Sequence, residues 1–88
     1  MTINIADLKK KIIYRSNYRG TKEMDKLLGS FTDKYINKFN EDQLFLLIDL
    51  LNHDDQNLYK FNQGLETTIN IKSNSVTELF RNFIYRAR

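Results

Sequence analysis

The residues that could do chemistry crowd into one stretch, Tyr18-Arg19-Gly20-Thr21-Lys22-Glu23-Met24-Asp25. A guanidinium, a glycine and two carboxylates stand almost side by side there. Glu23 and Asp25 could act as a general acid–base pair, the basic residues could bind phosphate, or the whole set could be a recognition edge for another protein. Spacing argues against the first, because residues two apart on a helix do not face each other. Nor does the surrounding sequence promise the burial that tunes a catalytic carboxyl. The two acids also have a simpler explanation. Thr21 is a suitable N-cap, and Glu23 and Asp25 then fall in the first turn of a helix, where the macrodipole favours negative charge. That explanation leaves Arg19 and Gly20 unaccounted for. Glycine adopts positive φ without steric cost and lets another backbone come close, so Gly20 either ends one helix or bends sharply into the next.

Elsewhere the chemical repertoire is thin. Cysteine is absent, which excludes disulfides, thiolate metal sites and thiol nucleophiles together. His53 is the one histidine; without ligand-type partners at suitable spacing it reads as a helix-end residue rather than a metal ligand or base. Asp54-Asp55 lacks the alternating oxygen ligands and glycine of a calcium loop and reads as a turn and cap. No glycine-rich phosphate loop is present, so no stably bound cofactor is expected.

The 88 residues suggest one domain, too small to hold both a core and a deep substrate cavity. Residues 1–22 carry six Lys/Arg against Asp7, a charge of +5. Residues 23–66 carry four lysines against nine acids, giving −5, and residues 67–88 carry four Lys/Arg against Glu78, giving +3. A nucleic-acid ligand would use the basic ends, but the acidic middle would repel phosphate. A protein partner fits better, and no nucleic acid is expected. No apolar run is long enough to span a membrane, and the start is neither a secretory signal nor an arginine-rich transit peptide. The expected home is therefore a reducing, bacterial cytoplasm, with the chain acting as a monomer.

Helical periodicity places the junction. Asp7 to about Tyr18 reads as a first helix, with Ile5, Leu8, Ile12 and Ile13 on its apolar side. Arg15 and Arg19, four apart, share one side, and Tyr14 and Tyr18 lie beside them. Tyrosine and arginine together are what buried contact patches favour. A second helix runs from Thr21 to about Lys38, carrying Met24, Leu27, Leu28, Phe31, Tyr35 and Phe39. Gly29 inside it implies close packing against a neighbouring helix. Asn40 and Gln43 form a capping-box variant ahead of a third helix to about Asn52, with Leu44, Phe45, Leu47, Ile48 and Leu51 as core. A short fourth helix carries Leu58, Tyr59 and Phe61 and closes at Gly64. Leu65 to Asn74 reads as an extended connector. Ser75 and Glu78 suggest a capping box for a last helix with Leu79, Phe80, Phe83 and Ile84 on one face, ending in Arg81, Arg86 and Arg88. Fraying is expected at 1–5 and 85–88. The expected fold is all-α, a five-helix bundle in a single domain.

Two segments carry a family resemblance. The run from Tyr14 to Phe31 holds Arg19-Gly20-Thr21-Lys22-Glu23-Met24-Asp25, which resembles the R-G-x-x-E signature, commonly extended by x-D, of the succinate dehydrogenase flavinylation assembly factors. Leu50-Leu51-Asn52-His53-Asp54-Asp55-Gln56-Asn57-Leu58-Tyr59-Lys60-Phe61 resembles the same family's L-L-x-x-x-D-x-x-L-x-x-W segment. R-G-x-x-E alone would be weak; both segments in order make a specific signal. Tyr18 stands where many members have a second basic residue, and Phe61 stands in place of the tryptophan.

The resemblance implies a five-helix protein that binds the flavoprotein subunit of succinate dehydrogenase, and in some bacteria that of fumarate reductase. It implies that the chain promotes covalent attachment of FAD, the FAD belonging to the partner. It also implies that Arg19, Gly20 and Glu23 form the partner-binding face, with Arg15, Tyr18 and Asp25 around them. On this view the chain is a chaperone-like factor without catalytic residues of its own, with Arg19 available to a partner carboxylate and Asp25 mainly supporting the second helix. Without the resemblance, the alternatives are a helical interaction module for another partner or a weak nucleic-acid-binding protein.

Overall fold

Every helix begins where a short polar side chain can accept one of the backbone N–H groups that a helix start leaves free. In the computed structural model, which describes residues 4–85, this gives α1 (Ile5–Asn17) capped by Asn4, α2 (Lys22–Tyr35) capped by Thr21 and α3 (Glu41–Leu51) capped by Asn40. It also gives α4 (Asp55–Asn62) capped by Asp54 and α5 (Ser75–Arg81) capped by Asn74. The expected all-α fold with five helices is what forms, and there are no strands among the described residues.

Several boundaries differ from the sequence reading. α1 starts earlier because Asn4 accepts the Asp7 N–H. α2 stops at Tyr35, and Ile36–Lys38 form a turn that folds Phe39 back onto the core. The Asn40/Gln43 box is present as expected, but the last helix is boxed by Asn74 and Thr77, not by Ser75 and Glu78. Asn74 wins because its side chain reaches the N–H groups of both Val76 and Thr77, while Glu78 accepts instead from Ser73. Ile5, within the range expected to fray, is helical; residues 1–3, Arg86, Ala87 and Arg88 lie outside the described residues.

α1 and α2 form an antiparallel hairpin around the Arg19–Gly20 junction. Lys9 bonds Asn37, and Ser16 meets Thr32 at 2.6 Å, so partners later in α1 meet earlier positions of α2. At the closed end Gly29 faces Asn17: a Cβ on Gly29 would come within 2.5 Å of Asn17 Oδ1, which is the close packing its position implied. The Ser16 hydroxyl, fully buried, also bonds the Ile12 carbonyl, so the polar residue in this seam is satisfied.

α3 packs on α1 and α5, and α5 also packs on α4. Phe31 of α2 is the hub, fully buried, with ring centroids of Tyr35, Phe80 and Phe83 at 5.0, 5.2 and 5.4 Å. The Phe80 and Phe83 contacts are edge-on, a geometry that adds to the plain burial of the rings. Leu44, Leu47, Leu50 and Leu51 line the α3 side of the core. Phe45, expected inside, is 39% exposed, and Ile13 of α1 is likewise largely exposed. Glu41, Asp42 and Asp49 mark the exposed side of α3, and Phe45, one turn from Glu41 and one from Asp49, shares that side while Leu50 is buried. Asn62 ties the C-terminal end of α5 to α4 through bonds of 2.8 and 2.9 Å to the Phe80 and Phe83 carbonyls.

Candidate functional site

The junction between α1 and α2 is held from three directions. After Asn17 the chain leaves helical geometry at Tyr18, and Gly20 takes φ +117°, a region open to glycine and strained for other residues. Asp25, from the first turn of α2, accepts the backbone N–H of Arg19. Thr21 accepts the Met24 N–H at 3.2 Å and so starts α2. The third hold is the Arg19 side chain, which turns away from the surface, 11% exposed.

All three guanidinium nitrogens of Arg19 donate within the protein. Nε meets Asp55 Oδ1 at 2.8 Å, Nη1 the Leu51 carbonyl at 2.9 Å and Nη2 the His53 carbonyl at 2.9 Å. Arg15, one turn earlier, adds Nη2 bonds of 2.7 Å to Asn52 Oδ1 and 3.3 Å to the Leu51 carbonyl. The reason for the pairing lies in α3. Its C-terminus leaves carbonyls unpaired by the helix and carries partial negative charge, yet its own last turn has no basic residue. α1 supplies the two cations instead. Asp55, the first residue of α4, completes the arrangement by placing a carboxylate at the positive end of that helix.

This geometry divides the residues singled out in the sequence. Arg15, Arg19 and Asp25 are joined in one internal network with Asp55, so the Arg19 guanidinium, which the sequence offers to a partner's carboxylate, already bonds within the protein. Tyr18, Gly20 and Glu23 point the other way. Tyr18 is 70% exposed and lies against Tyr14, itself 65% exposed, with ring centroids 4.7 Å apart. A Cβ built on Gly20 meets nothing within 4 Å, so the backbone there is open to an approaching molecule. Glu23 is exposed and has no hydrogen-bond or ion-pair partner among the described residues. It stands at the rim of an open groove lined also by Lys26, Tyr59, Gln63, Arg81 and Ile84.

Glu23 and Asp25 do not converge, one facing out and the other bonded to the main chain of Arg19, so they form no acid–base pair. His53 enters the site through its carbonyl. Among the described residues no cluster of three or more His, Cys, Asp or Glu is placed to hold a metal ion, and no helix is long and apolar enough to cross a membrane. The α2 N-terminus after Gly20 carries Glu23 and Asp25 in its first turn, where a pyrophosphate would be repelled rather than received.

The network also shows what sequence reasoning missed. From the sequence Asp55 reads as part of a turn and cap, and its ion pair with Arg19 has no local signal beyond its being the acidic position of the second resembling segment. The groove beside Glu23 was also missed, because Tyr59, Arg81 and Ile84 come from separate elements and share no local pattern.

Comparison with known proteins gives a consistent picture. The family described as flavinator of succinate dehydrogenase matches residues 10–84. A relative named succinate dehydrogenase assembly factor 2, mitochondrial, from Drosophila grimshawi is 30% identical over 78 residues, covering 86% of this chain and 53% of the relative. The protein named assembly factor 2-B, mitochondrial, from Drosophila mojavensis is 37% identical over 62 residues, covering 68% of this chain and 40% of its own length. One from Aspergillus flavus is 29% identical over 79 residues, covering 89% of this chain and 27% of its own. The chain thus spans between about a quarter and a half of the length of these relatives. No solved structure gives a significant match. The relatives are named as assembly factors, not as enzymes. They are also eukaryotic and named mitochondrial, which overturns the expectation of a bacterial cytoplasmic setting. That expectation rested on missing cysteines, missing apolar runs and a start read as neither a secretory signal nor a transit peptide, and none of these distinguishes a bacterial cytoplasm from a mitochondrial setting.

Proposed function

From the premise that the chain belongs to the flavinator of succinate dehydrogenase family, we propose that it binds the flavoprotein subunit of succinate dehydrogenase and promotes covalent FAD attachment there. The observation that carries the reading is the outward edge of Tyr18, Gly20 and Glu23 on a turn pinned from within. A pinned turn loses little freedom on binding, which is the main way a small surface gains affinity. In this reading the flavin is carried by the flavoprotein, and so is the bond-making. Attachment requires a flavin methyl group and a side chain of the flavoprotein to be held together in the right electrostatic setting, a problem of positioning that a bound helper can solve. Gly20 lets the two backbones approach, and Glu23 accepts hydrogen bonds from the flavoprotein. The protein acts as a monomer on one client subunit, and fumarate reductase flavoprotein is a second client of the same kind.

Co-expression of the chain with each flavoprotein tests this, with covalent flavin read by in-gel fluorescence and complex formation by co-purification. Wild type is expected to raise the flavin signal of the client, and Gly20→Arg or Glu23→Ala to lower it. Wild-type fluorescence from both variants would remove these residues from the function. The nucleic-acid alternative loses ground because Arg15 and Arg19, two of the six cations of residues 1–22, are tied to α3.

A further inference from the structure

We propose that Arg19 and Asp55 form a positioning pair: Arg19 acts on the client not by touching it but by anchoring the Gly20 turn to the α3–α4 corner, with Asp55 as the residue that holds the anchor. The inference rests on the reading above of Tyr18, Gly20 and Glu23 as the contact edge.

The turn has few other holds. Among the described residues the Gly20 N–H and carbonyl make no main-chain hydrogen bond, and the space beside its Cα is empty. Besides the Asp25 bond to the Arg19 N–H, the Thr21 cap with its carbonyl bonded by the Asp25 N–H, and the Tyr18 contact with Tyr14, the hold that ties residues 18–21 to α3 and α4 is the Arg19 side chain. It ends in a three-point clamp on Leu51, His53 and Asp55. Two of those points are main-chain carbonyls, which substitution cannot remove. Asp55 is the one point supplied by a side chain, and its Nε contact fixes the plane of the guanidinium, so that the forked geometry aims Nη1 and Nη2 at the carbonyls. Thirty-six residues separate the pair in sequence. It therefore couples the glycine turn to the start of α4, and through α4 to the Tyr59 and Gln63 wall of the groove beside Glu23. One ion pair thus sets the relation between the two halves of the proposed contact surface.

A turn freed from this anchor samples several positions, and apparent affinity falls in proportion to the fraction of time spent in the competent one. If that fraction drops to about a tenth, the client Kd rises about tenfold. The test is a double-mutant cycle on binding to purified succinate dehydrogenase flavoprotein, using Arg19→Ala, Asp55→Ala and both together, at a temperature where circular dichroism shows each to be folded. Arg19→Lys and Asp55→Asn serve wherever an alanine variant does not fold. Exchange of the Arg19 backbone amide is followed in the free protein as the second readout. Asp55→Ala should weaken binding about as much as Arg19→Ala, and the double variant should be no weaker than Arg19→Ala alone, the signature of residues acting as one unit. The Arg19 amide, bonded to Asp25 in the wild type, should exchange faster in Asp55→Ala.

Three results would overturn the proposal: binding by Asp55→Ala within about twofold of wild type while Arg19→Ala is weak; additive losses, which make each residue a separate contact; or an unchanged Arg19 amide in Asp55→Ala. Failure of the wild type to bind the flavoprotein would instead overturn the reading of the contact edge. The exchange measurement needs no client and would still decide whether the pair holds the turn.

Discussion

Replacing Gly20 by alanine should destabilise the protein before any client is involved. At φ +117° a residue with a Cβ is strained, and holding it in such a sparsely populated region costs on the order of 1–3 kcal/mol. Nothing within 4 Å would clash with the added methyl, so the cost is backbone strain alone. Against it stands a gain of about 0.4–1 kcal/mol, because alanine makes the unfolded chain less free than glycine does. The net loss is at most about 2.6 kcal/mol and about 1.3 kcal/mol at the middle of both ranges, and at about 4–8 °C per kcal/mol for a domain of this size the middle value lowers the melting temperature by about 5–10 °C. Thermal unfolding followed by far-ultraviolet circular dichroism measures it. Gly64 is the internal control: its φ of +74° lies nearer the left-handed region that asparagine tolerates, so Gly64→Asn should cost less than Gly20→Asn. A melting temperature for Gly20→Ala within about 2 °C of wild type, less than the shift expected from one kcal/mol, would refute the reasoning. It would mean that the turn relaxes out of positive φ and is not held by Asp25 and Arg19. With the strain known, any further loss of client binding by Gly20→Ala measures how closely the partner backbone approaches.

Other consequences concern the framework. Asp54 caps α4 by accepting the Asn57 side-chain and backbone N–H groups, at 2.7 and 3.1 Å, and these bonds, the side-chain one foremost, lower its pKa. A depressed folded-state pKa means that the cap's full stabilisation is present above the ordinary carboxylate pKa and is lost as pH falls through the folded value. Wild type should therefore lose more melting temperature than Asp54→Asn on going from about pH 5 to about pH 2, and parallel curves would show that the charge is immaterial to the cap. In the α1–α2 seam, Gly29→Ala should be close to neutral. The Asn17 amide can swing aside, giving up its 2.8 Å bond to the Ile13 carbonyl, while alanine gains about 1 kcal/mol of helix propensity over glycine. Gly29→Leu has no such escape and should cost about 1–3 kcal/mol through overpacking, read by urea unfolding at constant slope.

The parts legible in the sequence were those encoded locally. Thr21 and the Asn40/Gln43 box mark helix starts because caps act over three residues, and the three- and four-residue spacing from Met24 to Phe39 fixes the buried face of α2. Gly29 announced a close approach for the same reason: it is a poor helix residue that only packing justifies. Legibility failed where two elements decide together. Phe45 is not such a case, because its outward side is marked locally by Glu41 and Asp49, one turn away in each direction. Whether Asn74 or Ser75 caps α5 depends on how the connector arrives. Above all, nothing near Arg19 reveals that its side chain is needed by a helix end more than thirty residues away, since the clue is an absence: α3 has no cation in its own last turn.

That absence changes what the charge pattern of the chain means. Residues 1–22 carry a charge of +5, six Lys/Arg against Asp7, and such a cluster suggests electrostatic attraction of a partner. Of those charges, Arg19 is paired with Asp55, and Arg15 keeps its charge while bonded to the Leu51 carbonyl and the Asn52 amide oxygen. Lys9 is turned toward Asn37. The surface that remains around the contact edge is two tyrosines in tilted contact, an open glycine and a glutamate without a partner among the described residues, with Lys10, Lys11 and Lys22 also exposed. Association should then respond to salt through those three lysines and Glu23, and through Lys26 and Arg81 in the adjoining groove. Its specificity rests on the shape of a turn fixed from behind, and the arginine most visible in the sequence serves that shape from the inside.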